Sequence, residues 1–251
     1  MNNKIIIKGI VNWIKKYCNK NKINSLVIGI SGGIDSALVS TLCAMTGLKT
    51  YIVSMPISQE PNQLARARNH GKWLNDNFKN TIFVEKNLTN SFNEFKKNFN
   101  DFNADISFAN SKSRLRMICL YQIAGSVNGI VVGTGNKVED FGVGFYTKYG
   151  DGGVDISPIG DLTKTQVRQI AKNLNILEEI LQAKPTDGLW EDNRSDEDQI
   201  GASYEELEWV MENKNKNIKP NKRQKEVIKI YYKFNLKNKH KMLPIPIFKI
   251  N

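Results

Sequence analysis

Apolar and polar positions along the chain follow two alternating periods, which predict helices and strands in turn. Five apolar side chains share one helical face near the N-terminus and predict a helix over 4–18: Ile7, Ile10, Val11, Ile14 and Tyr17. Short apolar runs at 26–30, 50–55, 81–84 and 129–133 are typical of buried parallel strands, separated by helical patterns at 37–45, about 60–78 and 89–126. The alternation predicts an α/β fold, a doubly wound parallel sheet flanked by helices.

The C-terminal part of the chain reads as further helices. Thr163 and Ser203 are each followed three positions on by Gln or Glu, the spacing of a capping box. Pro220 is expected in the first turn of a last helix, and an extended tail follows from Pro244. Without repeats or a linker, we predict a single domain over 1–251: an N-terminal helix (4–18), a nucleotide-binding α/β core (about 25–180) and a C-terminal helical segment with a tail (about 181–251).

The stretch from 134 to 160 differs from the rest because glycines interrupt it and few apolar positions recur. It follows directly on a predicted strand, and open parallel sheets assemble their ligand sites at the carboxyl ends of strands. Irregular segments of this length are usually functional or disordered, and the aromatic residues Phe141, Phe145, Tyr146 and Tyr149 favour order. We therefore expect a ligand-binding loop here.

Composition narrows the functional classes. At 251 residues the chain can bury a large core, and no run of about 18 apolar residues is long enough to span a bilayer, which indicates a cytoplasmic location. Cys18, Cys43 and Cys119 are widely spaced and read as buried, reduced, structural thiols.

The net charge of +11 raises the question of a nucleic-acid partner. Much of this charge comes from lysine alternating with asparagine, as in 19–22 and 213–217, a compositional bias that gives ordinary solvated surfaces a basic character. We favour that interpretation and expect neither nucleic acid nor membrane as a partner. A basic surface also suits an anionic nucleotide substrate.

The turn from Ser31 to Ser36, Ser-Gly-Gly-Ile-Asp-Ser, follows the first predicted strand and opens a helix. Gly32 and Gly33 let backbone N–H groups approach an anion, and the helix N-terminus directs its positive dipole end toward the turn. Asp35 would repel polyphosphate unaided, so its presence predicts an intervening divalent cation, most plausibly Mg²⁺. The turn lacks the Gly-Lys-Ser/Thr ending of the Walker loop, which indicates a different phosphate chemistry.

The turn resembles the Ser-Gly-Gly-x-Asp-Ser signature of the ATP pyrophosphatases, which split ATP between its α and β phosphates. Further motifs widen the resemblance to the ammonia-dependent NAD synthetases, over residues from about 5 to 245. These are Gly-Thr-Gly-Asn-Lys-Val-Glu-Asp (133–140), Tyr-Thr-Lys-Tyr-Gly-Asp-Gly-Gly-Val-Asp (146–155), Asp-Leu-Thr-Lys (161–164), Lys-Pro-Thr-Asp-Gly-Leu (184–189) and His-Lys (240–241).

The resemblance implies a ligase that converts deamido-NAD, ATP and ammonia to NAD, AMP and pyrophosphate through an acyl-adenylate. Free ammonia is the expected nitrogen source because the turn begins only thirty residues into the chain, which leaves no room for a preceding glutaminase domain. Such a reaction needs no side-chain nucleophile, so catalysis is expected from positioning and charge stabilisation.

The resemblance also assigns residues to roles. The implied magnesium ligands are Asp35 and Glu139, and the implied catalytic residues are Lys164 and Asp155. ATP contacts are carried over to Gly29, Ile30, Ser31, Gly32, Gly33, Ile34, Asp35, Ser36, Thr134, Lys164 and Thr186. Deamido-NAD contacts are carried over to Arg114, Lys148, Asp155, His240 and Lys241.

Two departures from the family pattern affect these assignments. The chain has one residue more than the common family version between Glu139 and Lys148, and Asp187 replaces a small residue. We hypothesise that Asp155 or Asp187 holds or deprotonates ammonium. The family is homodimeric, and the helix carrying Arg114 is a candidate contact. Its apolar Met117, Ile118, Tyr121 and Ala124 could equally pack within one subunit.

Two other functions remain open from the sequence. The basic charge is also compatible with an adenylating tRNA-modifying enzyme of the same pyrophosphatase class, although no cysteine lies in a recognisable catalytic setting. A basic module that binds ATP without turnover is the non-catalytic alternative.

Overall fold

The computed structural model of the chain describes residues 2–186, 188–189 and 195–250, and a parallel sheet forms its centre. The strands β1 (Ser25–Gly29), β2 (Lys49–Ser54), β3 (Thr81–Glu85) and β4 (Gly129–Val131) lie in the order β3-β2-β1-β4. Val27 of β1 pairs with Tyr51 on one side and Val131 on the other. The chain thus winds in both directions from β1, which confirms the predicted doubly wound fold.

Helices cover both faces of the sheet. Their bounds are α1 (Asn3–Lys20), α2 (Ile34–Ala44), α3 (Pro61–Asn77), α4 (Thr89–Lys97), α5 (Asp105–Ser126), α6 (Lys164–Asn173), α7 (Glu178–Leu181), α8 (Asp196–Ile200), α9 (Tyr204–Asn213) and α10 (Lys222–Met242). Side chains of α1, α2 and α6 pack with Leu26 and Ile28 on one face. On the opposite face, α5 packs against Val27 and Val131.

The segment after β4 is more regular than predicted. Residues Lys137–Val143 form a π-helix, whose first N–H groups are capped by the Asn136 side chain. A π-helical turn holds more residues than an α-helical turn, and this one carries Glu139 and Asp140 to the wall of the cavity.

The C-terminal helices form a second core together with this π-helix. Val138 and Val143 pack against side chains of α9 and α10, including Tyr204, Leu207 and Tyr231. Because Glu139 lies between these two buried valines in sequence, its position is fixed from both the sheet and the C-terminal helices.

The ends of the late helices largely follow the prediction. Thr163 and Ser203 form the predicted capping boxes of α6 and α9. The expectation for Pro220 was wrong, because Asn221 caps α10 through its own capping box with Gln224 and leaves the proline outside the helix. Residues 244–250 are exposed and lack regular structure, as the tail prediction implied.

Among the helices of the described residues, none combines the length and apolar character needed to cross a bilayer. All three cysteines are free thiols, with Cys18 and Cys43 buried and Cys119 half-buried. Burial raises the pKa of each thiol, so these cysteines remain protonated rather than reactive.

Candidate active site

A cavity of about 650 Å³ lies at the carboxyl ends of β1, β2 and β4. Its position follows from the strand order, because β2 and β3 are added on one side of β1 and β4 on the other, and the connections that diverge there leave a crevice between β1 and β4. All of the predicted ATP-binding residues line it: Gly29, Ile30, Ser31, Gly32, Gly33, Ile34, Asp35, Ser36, Thr134, Lys164 and Thr186. Their contacts with ATP stay a prediction.

The turn before α2 is braced by its own serines. Ser36 Oγ donates to the Gly33 carbonyl at 3.0 Å, and the Gly33 N–H donates to Ser31 Oγ at 3.2 Å. Gly32 has a φ of 82°, and a Cβ there would overlap the Gln63 carbonyl oxygen of α3. The turn therefore requires glycine at this position both for its backbone angle and for its packing against α3.

Lys164 is the most deeply buried cation of the cavity, with 2% of its surface exposed. Its Nζ lies 2.5 Å from Asp35 Oδ2 and 3.0 Å from Glu139 Oε1. Burial opposes the charge, but the two carboxylates raise the Lys164 pKa above its ordinary value, so the ammonium persists. From the resemblance, Lys164 was predicted to contact ATP. In the structure its ammonium forms ion pairs with Asp35 and Glu139, the two predicted magnesium ligands.

The Asn136 side chain bonds both the Asp35 side chain and the backbone of Glu139. Its Nδ2 donates to Asp35 Oδ1 at 3.1 Å, and its Oδ1 accepts from the N–H groups of Val138 and Glu139 at 3.0 and 3.1 Å. Burial raises the pKa of Asp35, with partial compensation by Lys164 and Asn136. For Glu139, Lys164 and Tyr204 outweigh the effect of burial and lower the pKa, so Glu139 is the more firmly ionised acid.

Tyr204 of α9 is fully buried and reaches the acid pair from the C-terminal core. Its hydroxyl donates to Glu139 Oε1 at 2.5 Å and lies 3.1 Å from Asp196 Oδ2. The Lys164 Nζ lies 4.7 Å from the centre of the Tyr204 ring, within cation–π range. Sequence reasoning missed this residue, because a tyrosine after a capping serine is indistinguishable from an ordinary core residue.

Two further acids, Asp140 and Asp151, line the cavity and were also missed. Burial and the neighbouring carboxylates of Glu139, Asp151 and Asp35 raise the pKa of Asp140. Asp151 accepts from Ser113 Oγ at 2.7 Å and from the Thr147 N–H at 2.9 Å, which ties the loop to α5. The Asp-rich character of this loop was visible in the sequence, but the direction of its side chains was not.

Asp35 and Glu139 have the donor chemistry that Mg²⁺ prefers. Both contact the same ammonium nitrogen, so the two carboxylates already converge on one cation position. The described residues contain no cluster of three or more His, Cys, Asp or Glu side chains arranged to hold a metal by themselves. Two carboxylates suffice for Mg²⁺ when substrate phosphates supply further oxygens, so the residues fit a metal that arrives with ATP.

The residues predicted to bind deamido-NAD divide into two groups. His240 and Lys241 of α10 line the cavity, where the Lys241 Nζ donates to the carbonyls of Gly144 and Tyr146, both at 2.7 Å. Burial lowers the Lys241 pKa. Asp187 lies outside the described residues.

The other group consists of Arg114, Lys148 and Asp155, which are not among the described residues that line the cavity and lie by the outer side of α5. Arg114 Nε approaches the Lys148 carbonyl at 3.4 Å, and the Lys148 Nζ donates to the His240 carbonyl at 3.0 Å. Asp155 is exposed and accepts from the Tyr121 hydroxyl at 3.0 Å and the Val131 N–H at 2.7 Å.

Arg116 of α5, to which no role was assigned from the sequence, also lines the cavity. Its Nε donates to the Met55 carbonyl at 3.1 Å and its Nη2 to Gln59 Oε1 at 2.8 Å. Arg114 and Arg116 are two positions apart in the helix, so the arginines point to different sides of α5.

The sequence profile of the NAD synthase family matches residues 6–244. The NH₃-dependent NAD⁺ synthetase of Sulfurisphaera tokodaii is 36% identical over 96% of this chain and 88% of its own length. That of Malacoplasma penetrans is 38% identical over 83% of this chain and 82% of its own length.

Solved structures agree in fold and extent. An NMN synthetase from Francisella tularensis superimposes with a TM-score of 0.88 at 29% identity, over 100% of both chains. An NH₃-dependent NAD synthetase from Campylobacter jejuni gives a TM-score of 0.79 at 27% identity, over 99% of this chain and 100% of its own. With a profile match over nearly its whole length and relatives above 30% identity, this chain belongs to the NAD synthase family.

Proposed function

We propose that the protein amidates deamido-NAD with ammonia, at the expense of ATP, to give NAD, AMP and pyrophosphate. One observation carries the proposal: the cavity of an NAD synthase family chain places the pyrophosphate turn, a pair of carboxylates and a buried lysine together. The turn suits a polyphosphate, and the acid pair suits its cation.

The reaction proceeds in two displacements. A carboxylate oxygen of the nicotinate attacks the α-phosphorus of ATP, the bond to the β-phosphate oxygen breaks, and pyrophosphate leaves with its electron pair. Ammonia then attacks the acyl carbon, AMP leaves, and the nitrogen loses a proton to solvent or to a nearby base. Activation is necessary because a free carboxylate would have to expel oxide.

The protein's part is to hold these groups and to balance their charge. The turn from Ser31 to Ser36 holds the phosphates, and Asp35 with Glu139 would hold Mg²⁺. When bound, this ion neutralises charge on the phosphates. Lys164 lies beside both acids, where its ammonium would also contact phosphate oxygens of ATP.

We also propose a homodimer in which the second subunit completes the dinucleotide site. Arg114, Lys148 and Asp155 lie on the outer side of α5, whereas His240 and Lys241 line the cavity. Ile118 lies one helical turn after Arg114 and is 57% exposed. An apolar residue flanked by the predicted substrate residues supports a subunit contact that brings them to a partner's cavity.

A coupled assay of product formation tests the proposed reaction. With Mg²⁺, ATP and deamido-NAD, ammonium should give NAD, AMP and pyrophosphate in equal amounts, and glutamine should give no more than its contaminating ammonia allows. Formation of ADP, or no amide at all, would refute the proposal. Binding of tRNA at physiological salt would instead support the tRNA-modifying alternative, and ATP binding without turnover the non-catalytic one.

Nicotinate mononucleotide is a second candidate substrate. The chain superimposes on an NMN synthetase over the full length of both chains, with a higher TM-score than on the Campylobacter jejuni enzyme. The chemistry of the reacting carboxylate is unchanged in the mononucleotide, and only the adenylate half is missing. Comparison of kcat/KM for the two acids, with ammonium and ATP saturating, decides between them.

A further inference from the structure

Tyr204 contacts the acid pair but belongs to a different part of the fold. It lies on α9 and packs with Val138, Leu207 and Val227 in the C-terminal core. Its hydroxyl nevertheless reaches Glu139 Oε1 at 2.5 Å, and no other tyrosine hydroxyl bond to either predicted metal ligand occurs among the described residues. A purely apolar role in the core would be served as well by phenylalanine.

The hydroxyl has one proton and two acidic neighbours. The distance to Glu139 is 2.5 Å and the distance to Asp196 Oδ2 is 3.1 Å, so the hydroxyl donates its hydrogen bond mainly to Glu139. An ionised carboxylate can only accept hydrogen bonds, so the Tyr204 hydroxyl is the donor in its contact with Glu139.

Two donors from different parts of the fold meet on one oxygen of Glu139. Lys164 Nζ and the Tyr204 hydroxyl each approach Oε1. Two donors on one oxygen also fix the rotation of the carboxylate. When the ammonium turns toward phosphate, the tyrosine hydroxyl is the contact that keeps this orientation.

We propose that Tyr204 is a positioning residue that orients Glu139 for the divalent cation bound with ATP. It does not touch the substrates, and it links the C-terminal core to the reaction centre. The inference rests on the proposed function only in that Glu139 must be a metal ligand, and it can be tested without any turnover.

The test compares Tyr204→Phe with Tyr231→Phe. Tyr231 is a buried tyrosine of the same core, on α10, so its replacement controls for loss of a hydroxyl from that cluster. Mn²⁺ serves as the probe in place of Mg²⁺, and its binding is measured by electron paramagnetic resonance with a non-hydrolysable ATP analogue present. Thermal unfolding of both variants checks that the fold is retained, since phenylalanine fills the same space.

We expect Tyr204→Phe to raise the dissociation constant for Mn²⁺ by about tenfold, the usual cost of losing an outer-shell hydrogen bond, and Tyr231→Phe to change it less than twofold. In the assay, Tyr204→Phe should need about tenfold more Mg²⁺ for half-maximal rate, and excess Mg²⁺ should restore kcat to within about threefold, with KM for ammonia unchanged.

The inference is overturned if Mn²⁺ binds Tyr204→Phe within twofold of the wild type, or if both tyrosine variants lose affinity equally. It is also overturned if the wild type with the ATP analogue binds no Mn²⁺, a result that removes the metal role of Glu139 from the proposed function as well. Mn²⁺ binding by the wild type without NAD synthesis would refute only the proposed reaction.

Discussion

At the residue scale, Lys164 is the position where a single change should have the largest effect. Lys164→Met removes the ammonium and leaves Asp35 and Glu139 facing each other in a buried site. Breaking a buried ion pair from one side costs about 3–5 kcal/mol, and kcat should fall at least about 100-fold. Urea unfolding at neutral pH and the coupled assay measure both effects.

The pH dependence of this variant gives a second, independent readout. Without the ammonium, burial and mutual repulsion raise the folded-state pKa values of both acids above their unfolded values, so the folded variant binds more protons. Its stability deficit should therefore shrink as the pH falls from 7 toward 5. Arg168→Met is the control, because Arg168 lies on the same helix in an exposed pair with Glu205, and its free energy of unfolding should change by less than about 1 kcal/mol. Equal losses in the two variants would contradict the role given to Lys164.

At the scale of elements, the turn before α2 depends on its contact with α3. Gly32→Ala and Gly47→Ala both place a side chain at positive φ, 82° and 77°, but only the former overlaps neighbouring backbone. Both variants should lose about 1–2 kcal/mol from the left-handed conformation. Only Gly32→Ala should also lose ATP affinity, by at least about tenfold in calorimetry, because α3 must shift and the turn with it. Similar ATP affinities for the two variants would show that the α3 contact is irrelevant to binding.

The contact between α2 and α3 also has a buried titratable group. His70 Nε2 lies 3.0 Å from Ser40 Oγ, and burial lowers the His70 pKa from 6.5 to about 4. Between pH 6.5 and 4, His70 binds a proton in the unfolded chain but stays neutral in the folded chain. The free energy of unfolding is therefore highest above pH 6.5 and falls as the pH decreases. The loss should be about 2 kcal/mol by pH 5. The urea midpoint of His70→Gln should vary less between pH 7.5 and 5 than that of the wild type. If the midpoints of both proteins fall equally with pH, a group other than His70 causes the acid sensitivity.

The sequence predicts elements more completely than it predicts contacts. Strand and helix positions, two capping boxes and the phosphate turn follow from local patterns, because periodicity and capping are local properties. The Lys164 contacts with Asp35 and Glu139 span 129 and 25 residues, and no local pattern encodes such pairings. Tyr204 was missed for the same reason.

At the scale of the whole molecule, α5 has one face packed within the subunit and another face exposed. Ala124 is buried against the sheet, whereas Ile118 is 57% exposed beside Arg114 and Tyr121. If the outer face is the proposed subunit contact, Ile118→Asp places a charge in it and should convert a dimer to a monomer. Ile5→Asp is the control, because Ile5 is also an exposed isoleucine, on α1, a helix that carries none of the predicted substrate residues.

Light scattering at matched concentrations measures the oligomeric state, and two further assays separate assembly from folding. The Ile118→Asp monomer should keep its ATP affinity within about twofold, since the turn and the acid pair belong to one chain. Its kcat/KM for the dinucleotide should fall at least about tenfold, because Arg114, Lys148 and Asp155 then face solvent. A wild type that is monomeric and active would refute the subunit contact, as would a variant that dissociates with its dinucleotide kinetics intact. Either result would require these three residues to reach the cavity of their own chain by a rearrangement of α5, rather than by association.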